Sequence, residues 1–226
     1  PDLSSLPDAL RSKILISYHH EIFADFQDAI PTFNSLAIES LLWRIEGLSE
    51  QFLYFNDDVF LTAPLKPTDV FVNNIPVLRG KWVNYARIIS EPDAHKNPAL
   101  FNHFMQINAA KMIGFKETHL FAAAHVVHPF LCSRMERLFS SFANAFTSNI
   151  THRFRDLSQF LPQGLHNHAC INEGNAVLNL EKDFNLISSP NFKHYYEVAT
   201  FYKENKYYEK SIKYYSLALE KINYDH

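Results

Sequence analysis

Asn56-Asp57-Asp58 places two adjacent carboxylates directly after the apolar run Gln51-Phe-Leu-Tyr-Phe55. Paired carboxylates at the end of a strand can hold Mg2+ through oxygen ligands and so position a diphosphate. An arbitrary Asp-Asp pair is more often a solvated acidic turn; the apolar run before this one favours a site. His125 and His128 come next. At helical i, i+3 spacing both could bind one metal, but Pro129 predicts a loop leading into a helix. One of them could then serve as a general base or as a donor to phosphate, although a capping or core histidine is the commoner use. In His152-Arg153-Phe154-Arg155 an extended backbone would point both guanidinium groups to one side. Arginine suits bidentate contact with phosphate, while an ordinary basic surface cluster is the plainer reading. The pair His166 and His168 carries a weaker signal. No Gly-rich phosphate loop, GxSxG, HExxH or EF-hand pattern occurs, and the 5 glycines leave little material for such a loop.

The elements that must position these groups read as follows. Lys13-Ile-Leu-Ile-Ser-Tyr18 has the composition of a short buried strand. Pro31-Thr-Phe-Asn-Ser35 supplies stop and cap residues, and Ile38, Leu41, Leu42 and Ile45 fall at helical spacing. They predict a helix from Asn34 or Ser35 to about Gly47. Residues 51–55 form a second predicted strand, with the acidic pair at its C-terminal end. Strand, helix, strand is the α/β pattern, in which ligands bind beyond the strands' carboxyl ends. Short strands are expected at Val70-Phe-Val72 and Val77-Leu78. Asn97-Pro98 opens a helix that closes at Gly114, and Pro129 is predicted in the first turn of another, with Leu131, Met135, Leu138, Phe142 and Phe146 on its apolar face.

With 226 residues, 47% of them hydrophobic and 15% aromatic, the chain can bury a sizeable core. Its 21 basic and 24 acidic residues give a net charge of −3, without the basic excess of a nucleic-acid binder. Cys132 and Cys170 have neither disulfide-framework nor zinc spacing, which suits a reducing compartment. No apolar run reaches the ~18 residues of a membrane span, and no signal peptide is recognisable at the start. Composition shifts after Ser189-Pro190. Tyr195, Val198, Ala199, Tyr202, Tyr215, Ala218 and Leu219 match the order of one tetratricopeptide unit, with Ser211 in place of the usual Ala, and a plain helical hairpin is an equal reading. The expected organisation is an α/β domain over residues 1–190 and a helical hairpin over 191–226. The domain would have a sheet with flanking helices, as a Rossmann-like core incomplete at its N-terminus.

Pro31-Thr-Phe-Asn-Ser35, Ala37-Ile-Glu39, Arg44-Ile45, Gly47-Leu-Ser-Glu50 and Phe52-Leu-Tyr-Phe-Asn-Asp-Asp-Val-Phe60 together closely resemble the second signature block of the Stealth family. Its members are hexose-1-phosphate transferases: bacterial capsular polysaccharide phosphotransferases and the animal N-acetylglucosamine-1-phosphotransferase. A weaker resemblance to the third block runs from His125, through a helix, to Phe154-Arg155. The usual His-x-Pro is replaced, with Val127 at its Pro position and Pro129 displaced by two. Asn108 resembles the family's asparagine between these blocks. The first family block is not found in this sequence.

The resemblance implies transfer of a sugar-1-phosphate from a UDP-sugar to a saccharide hydroxyl, with UMP leaving and a phosphodiester-linked capsular or cell-surface polysaccharide formed. It implies catalytic roles for Asp57, Asp58, His125 and Arg155. The two aspartates would bind Mg2+ or position substrate, His125 would be base or phosphate donor, and Arg155 would clamp a phosphate. Asn34, Ser35, Glu39, Asn56, Asn108 and His128 would bind substrate or brace the crevice. The expected setting is the cytoplasm, or the inner face of a bacterial membrane, with no nucleic-acid partner and the repeat-like tail available to a protein partner. Two other readings are a Mg2+-dependent glycosyltransferase that releases UDP, and a non-catalytic scaffold.

Overall fold

The computed structural model describes residues 3–59, 61, 64–180, 208, 212, 215 and 216. The predicted tail hairpin therefore lies almost wholly outside the described residues. Helices flank two small sheets in an α/β arrangement. One sheet pairs β1 (Gln51–Tyr54) antiparallel with β5 (His128–Leu131), setting Tyr54 opposite His128 and Leu53 opposite Pro129. The other is built on β3 (Ile75–Val83), which pairs antiparallel with β2 (Phe71–Val72) and β4 (Leu120–Ala123) and parallel with β6 (Val177–Asn179). Asn73 and Asn74, at φ 50° and 65°, make the two-residue turn between β2 and β3. Gly80 lets β3 and β4 approach closely: a Cβ there would stand 2.2 Å from the Ala122 carbonyl oxygen.

Five helices matter to the site. In α1 (Ser35–Glu39), Asn34 is the N-cap, its Oδ1 accepting from the Leu36 N–H at 3.2 Å. The helix is shorter than predicted. Ser40 turns its hydroxyl back to the Leu36 carbonyl at 2.8 Å, and the chain continues as a 3-10 turn over Leu42–Arg44. The long α2 (Phe101–Met112) ends as expected at Gly114, whose φ of 92° takes the chain out of the helix. Then come α3 (Cys132–Ser141), α4 (Ala143–Thr151) and α5 (Pro162–Asn172). Their apolar faces meet in one core with Leu36 and Leu41, Met105 and Ala109, Phe130, Met135 and Leu138, Phe146 and Ile150, and Leu165.

Three expectations are overturned. Residues 13–18 form no strand: Ile14 and Leu15 are exposed, and no ladder among the described residues pairs with them. The apolar run has β composition, but a strand also needs a neighbour. The strand-helix-strand unit inferred from it is therefore not formed, although the α/β class holds. Pro129 lies in β5, not in the first turn of a helix, and α3 begins three residues later at Cys132. Proline is tolerated there because, among the described residues, β1 is the one ladder partner of β5. The predicted helix through Phe146 is likewise split at Phe142 into α3 and α4.

The His166/His168 pair has a structural part. α5 is buried along most of its length, and His166 Nε2 accepts the Leu131 N–H of β5 at 3.2 Å. His168 Nε2 accepts the Phe121 N–H of β4 at 3.1 Å, while its Nδ1 contacts the Gly164 carbonyl at 2.6 Å. Two histidines two residues apart thus tie one helix to both sheets. Burial pushes the His166 pKa down to about 3 and lowers that of His168, keeping both rings neutral and able to accept.

Candidate active site

A cleft of about 260 Å³ opens between the C-terminal end of β1, α1, α2, the turn before β5, and the loop between α4 and α5. The acidic pair reaches it because β1 ends at Tyr54 and the next residues turn outward: Asp57 and Asp58 are exposed and Asn56 is half-buried. His125 faces them from the turn between β4 and β5, with Nε2 at 3.1 and 3.2 Å from the two Asp58 carboxylate oxygens. Both side chains are about half exposed, so this contact orients the imidazole more than it stabilises the fold.

The opposite wall carries Arg155, whose Nη2 donates to Ser35 Oγ at 3.1 Å across 120 residues of sequence. Its loop is held by two asparagine amides. Asn34 Nδ2 lies 3.0 Å from the His152 carbonyl, 3.0 Å from the Phe154 carbonyl and 2.9 Å from Gln159 Oε1. Asn108 Nδ2 donates to the carbonyls of Leu157 and Gln159, both at 2.8 Å. Asn34 is fully buried, and neither asparagine lines the cleft. Both brace the loop that presents Arg155.

Glu39 forms the buried floor. One of its carboxylate oxygens, Oε2, has no hydrogen-bond partner. Burial pushes its pKa up to about 7, against the lowering pull of the neighbouring Tyr54 and Ser35 hydroxyls and of the Arg155 charge. The Tyr54 hydroxyl donates to Asn56 Oδ1. Its own pKa is raised by burial and by the nearby carboxylates, so it remains a proton donor.

His128 is buried beneath the cleft, not on its surface. It stacks on Tyr54 and accepts from Gln163 Nε2 at 3.3 Å. Burial, then the His125 charge, pushes its pKa down to about 3, so it is neutral. Sequence reasoning did not single out Tyr54, Asn102 or Gln163, which also line the cleft. Tyr54 was within reach, being on the strand that delivers the acidic pair; Gln163 carries no local signal. Among the described residues no group of three or more His, Cys, Asp or Glu could hold a metal ion, and no helix is long and apolar enough to cross a membrane.

Comparison with known proteins bears on this geometry. Conserved region 2 of the Stealth proteins matches residues 5–77. A capsular polysaccharide phosphotransferase of Neisseria meningitidis serogroup A is 30% identical over 191 residues, 82% of this chain and 34% of that protein. The chain belongs to the Stealth family. An exopolysaccharide phosphotransferase of Streptomyces coelicolor is 34% identical over 153 residues, 66% of this chain and 16% of that protein. A second from the same organism reaches 56% identity over 62 residues, 27% of this chain and 10% of that protein. The chain thus spans between about a tenth and a third of the length of these Stealth relatives. Region 2 contributes Ser35, Glu39, Tyr54 and the acidic pair to the cleft, while His125 and Arg155 come from beyond it.

Proposed function

We propose that the full-length protein transfers a sugar-1-phosphate from a UDP-sugar to a saccharide hydroxyl, building a phosphodiester-linked surface polysaccharide. The observation that carries this reading is the cleft itself. It gathers an acidic pair, an Asp-oriented histidine, a braced arginine and a buried protonatable carboxyl from segments up to 120 residues apart. The Stealth relatives named above are capsular and exopolysaccharide phosphotransferases.

In this reading the neutral His125 donates its Nε2–H in a hydrogen bond to Asp58 and offers the Nδ1 lone pair as the base toward the acceptor hydroxyl. The acceptor oxygen bonds to the β-phosphorus, the bond from that phosphorus to the bridging oxygen breaks, and UMP leaves with that oxygen. The acceptor proton passes to His125. Charge spreading over the phosphoryl oxygens is met by Arg155, already held toward the cleft by Ser35. Glu39, whose carboxyl keeps its proton up to about pH 7, supplies a hydrogen-bond donor on the floor below that pH. Its unpartnered oxygen is a place for a substrate hydroxyl.

A Mg2+ ion suits the donor set at the acidic pair. Such an ion is usually bound by one or two carboxylates plus substrate phosphates, without an all-protein cage. Asp57 is the carboxylate left available, since Asp58 faces His125, and the ion would add neutralisation of the diphosphate charge.

The test is 31P NMR of the full-length protein with UDP-sugar donors and saccharide acceptors. UMP together with a new phosphodiester resonance supports the reading. Release of UDP without a phosphodiester makes the protein a glycosyltransferase and rejects it. An absence of donor turnover and of donor binding by calorimetry would leave a scaffold.

A further inference from the structure

Phe33 and Phe154 are the most exposed phenylalanines among the described residues, at 73% and 68%, and they stack on each other. Their ring centroids are 5.6 Å apart and their planes 14° from parallel. Single exposed apolar side chains are ordinary, but this pair is built into the fold. The Phe33 N–H donates to the Arg153 carbonyl at 3.0 Å, and the buried Asn34 amide reaches the Phe154 carbonyl. Each ring also stands one or two residues from a cleft residue, Phe33 from Ser35 and Phe154 from Arg155, and those two are hydrogen-bonded to each other. The platform is therefore continuous with the candidate active site.

We propose that Phe33 and Phe154 form an acceptor subsite, a rim platform on which the apolar face of a saccharide ring lies while its hydroxyl enters the cleft. The inference rests on the phosphotransferase reading above. A cleft of about 260 Å³ holds little more than a sugar phosphate, so an oligosaccharide acceptor must leave across the rim. The C–H face of a pyranose is weakly positive and complements the negative face of an aromatic ring. A nucleobase fits this platform less well. The Phe33 N–H and the Phe154 carbonyl are already spent in the clamp, so neither is left to read a base's hydrogen-bonding edge.

The probe is a set of oligosaccharides released from the producing organism's own surface polysaccharide, used with the full-length protein. Binding is followed by saturation-transfer NMR and turnover by the KM for each substrate. The double variant Phe33→Ala/Phe154→Ala is expected to weaken oligosaccharide binding and raise the acceptor KM at least ~10-fold, equivalent to about 1.4 kcal/mol. Its donor KM should be unchanged, and Phe33→Tyr/Phe154→Tyr, which keeps both ring faces, should restore binding. Unaltered oligosaccharide binding in a folded alanine variant overturns the proposal, as does a rise in donor KM alone, which would assign the rings to the nucleotide. Ring-dependent oligosaccharide binding without phosphotransfer would instead keep the platform and reject the reaction.

Discussion

At the scale of single residues, one contact distinguishes the two members of the acidic pair. Asp58 meets His125 within hydrogen-bonding distance, while Asp57 does not. Removing either member of the Asp58–His125 couple, as Asp58→Asn or His125→Ala, should cut turnover at least ~100-fold with the unfolding transition preserved. Arg155→Lys should do the same, because an ammonium cannot replace the guanidinium fork toward phosphate. Steady-state rates beside thermal melts check all three, and near-normal turnover in a folded His125→Ala protein would remove that residue from the chemistry. Glu39 gives a pH signature. Its folded pKa of about 7 lies above the ordinary carboxyl value of 4.5, so between those values the folded state keeps a proton that the unfolded state has lost. The contribution of this group to stability should therefore fall by about 3 kcal/mol as pH rises from 4.5 to 7, opposite in sign to that of the buried histidines. Glu39→Gln should remove that contribution, so its urea midpoint should gain on that of the unsubstituted protein between pH 5 and pH 8; parallel pH profiles would show that the carboxyl is ionised when folded. The acidic pair and Glu39 could be read in the sequence because they lie in one continuous block. The burial that shifts Glu39 could not, since Met105, Leu161 and Gln163 around the same cleft come from distant segments.

At the scale of elements, the loop over residues 152–159 is positioned by side-chain amides and not by a ladder. Asn34 does two things: its carbonyl caps α1 and its amide holds the loop. Asn34→Asp separates them, keeping the cap acceptor while removing the donors. It should cost about 3 kcal/mol, because the carbonyls of His152 and Phe154 lose their buried partner. Hydrogen exchange should quicken in the loop while α1 stays protected, and equal exchange in both proteins would sink the idea. The capping signal of Asn34 was legible locally. The amide clamp was not, since its acceptors lie 118 to 125 residues away. Pro129 departs from its expected place for a related reason: a proline marks a helix start or an edge strand equally well, and only the neighbour supplied by β1 decides. The apolar run at 13–18 failed in the opposite direction, having strand composition but no described partner.

At the scale of the whole molecule, the buried histidines couple the fold to acid. His128 and His166 have folded pKa values near 3 against 6.5 for the free side chain. The unfolded chain takes up protons as pH falls below 6.5 while the folded one does not, so stability present above 6.5 is lost progressively toward pH 3. His166→Gln, which keeps an acceptor for the Leu131 N–H, should flatten the acid limb measured by circular dichroism between pH 6.5 and 4. An unchanged limb would mean that the ring is already charged when folded. The class of the fold was legible from alternating strand and helix signals. The link between the two sheets was not, because it runs through two ring nitrogens of α5 and leaves no trace in periodicity. One consequence concerns synthesis. The cleft joins Ser35 and the acidic pair, made early, to Arg155 and Gln163, made late. On the ribosome the first part emerges long before the second. A chain arrested before residue 155 would carry the acidic pair with no arginine opposite it. The competence to bind a diphosphate should therefore switch on abruptly, over the short stretch of translation that releases residues 155 to 163.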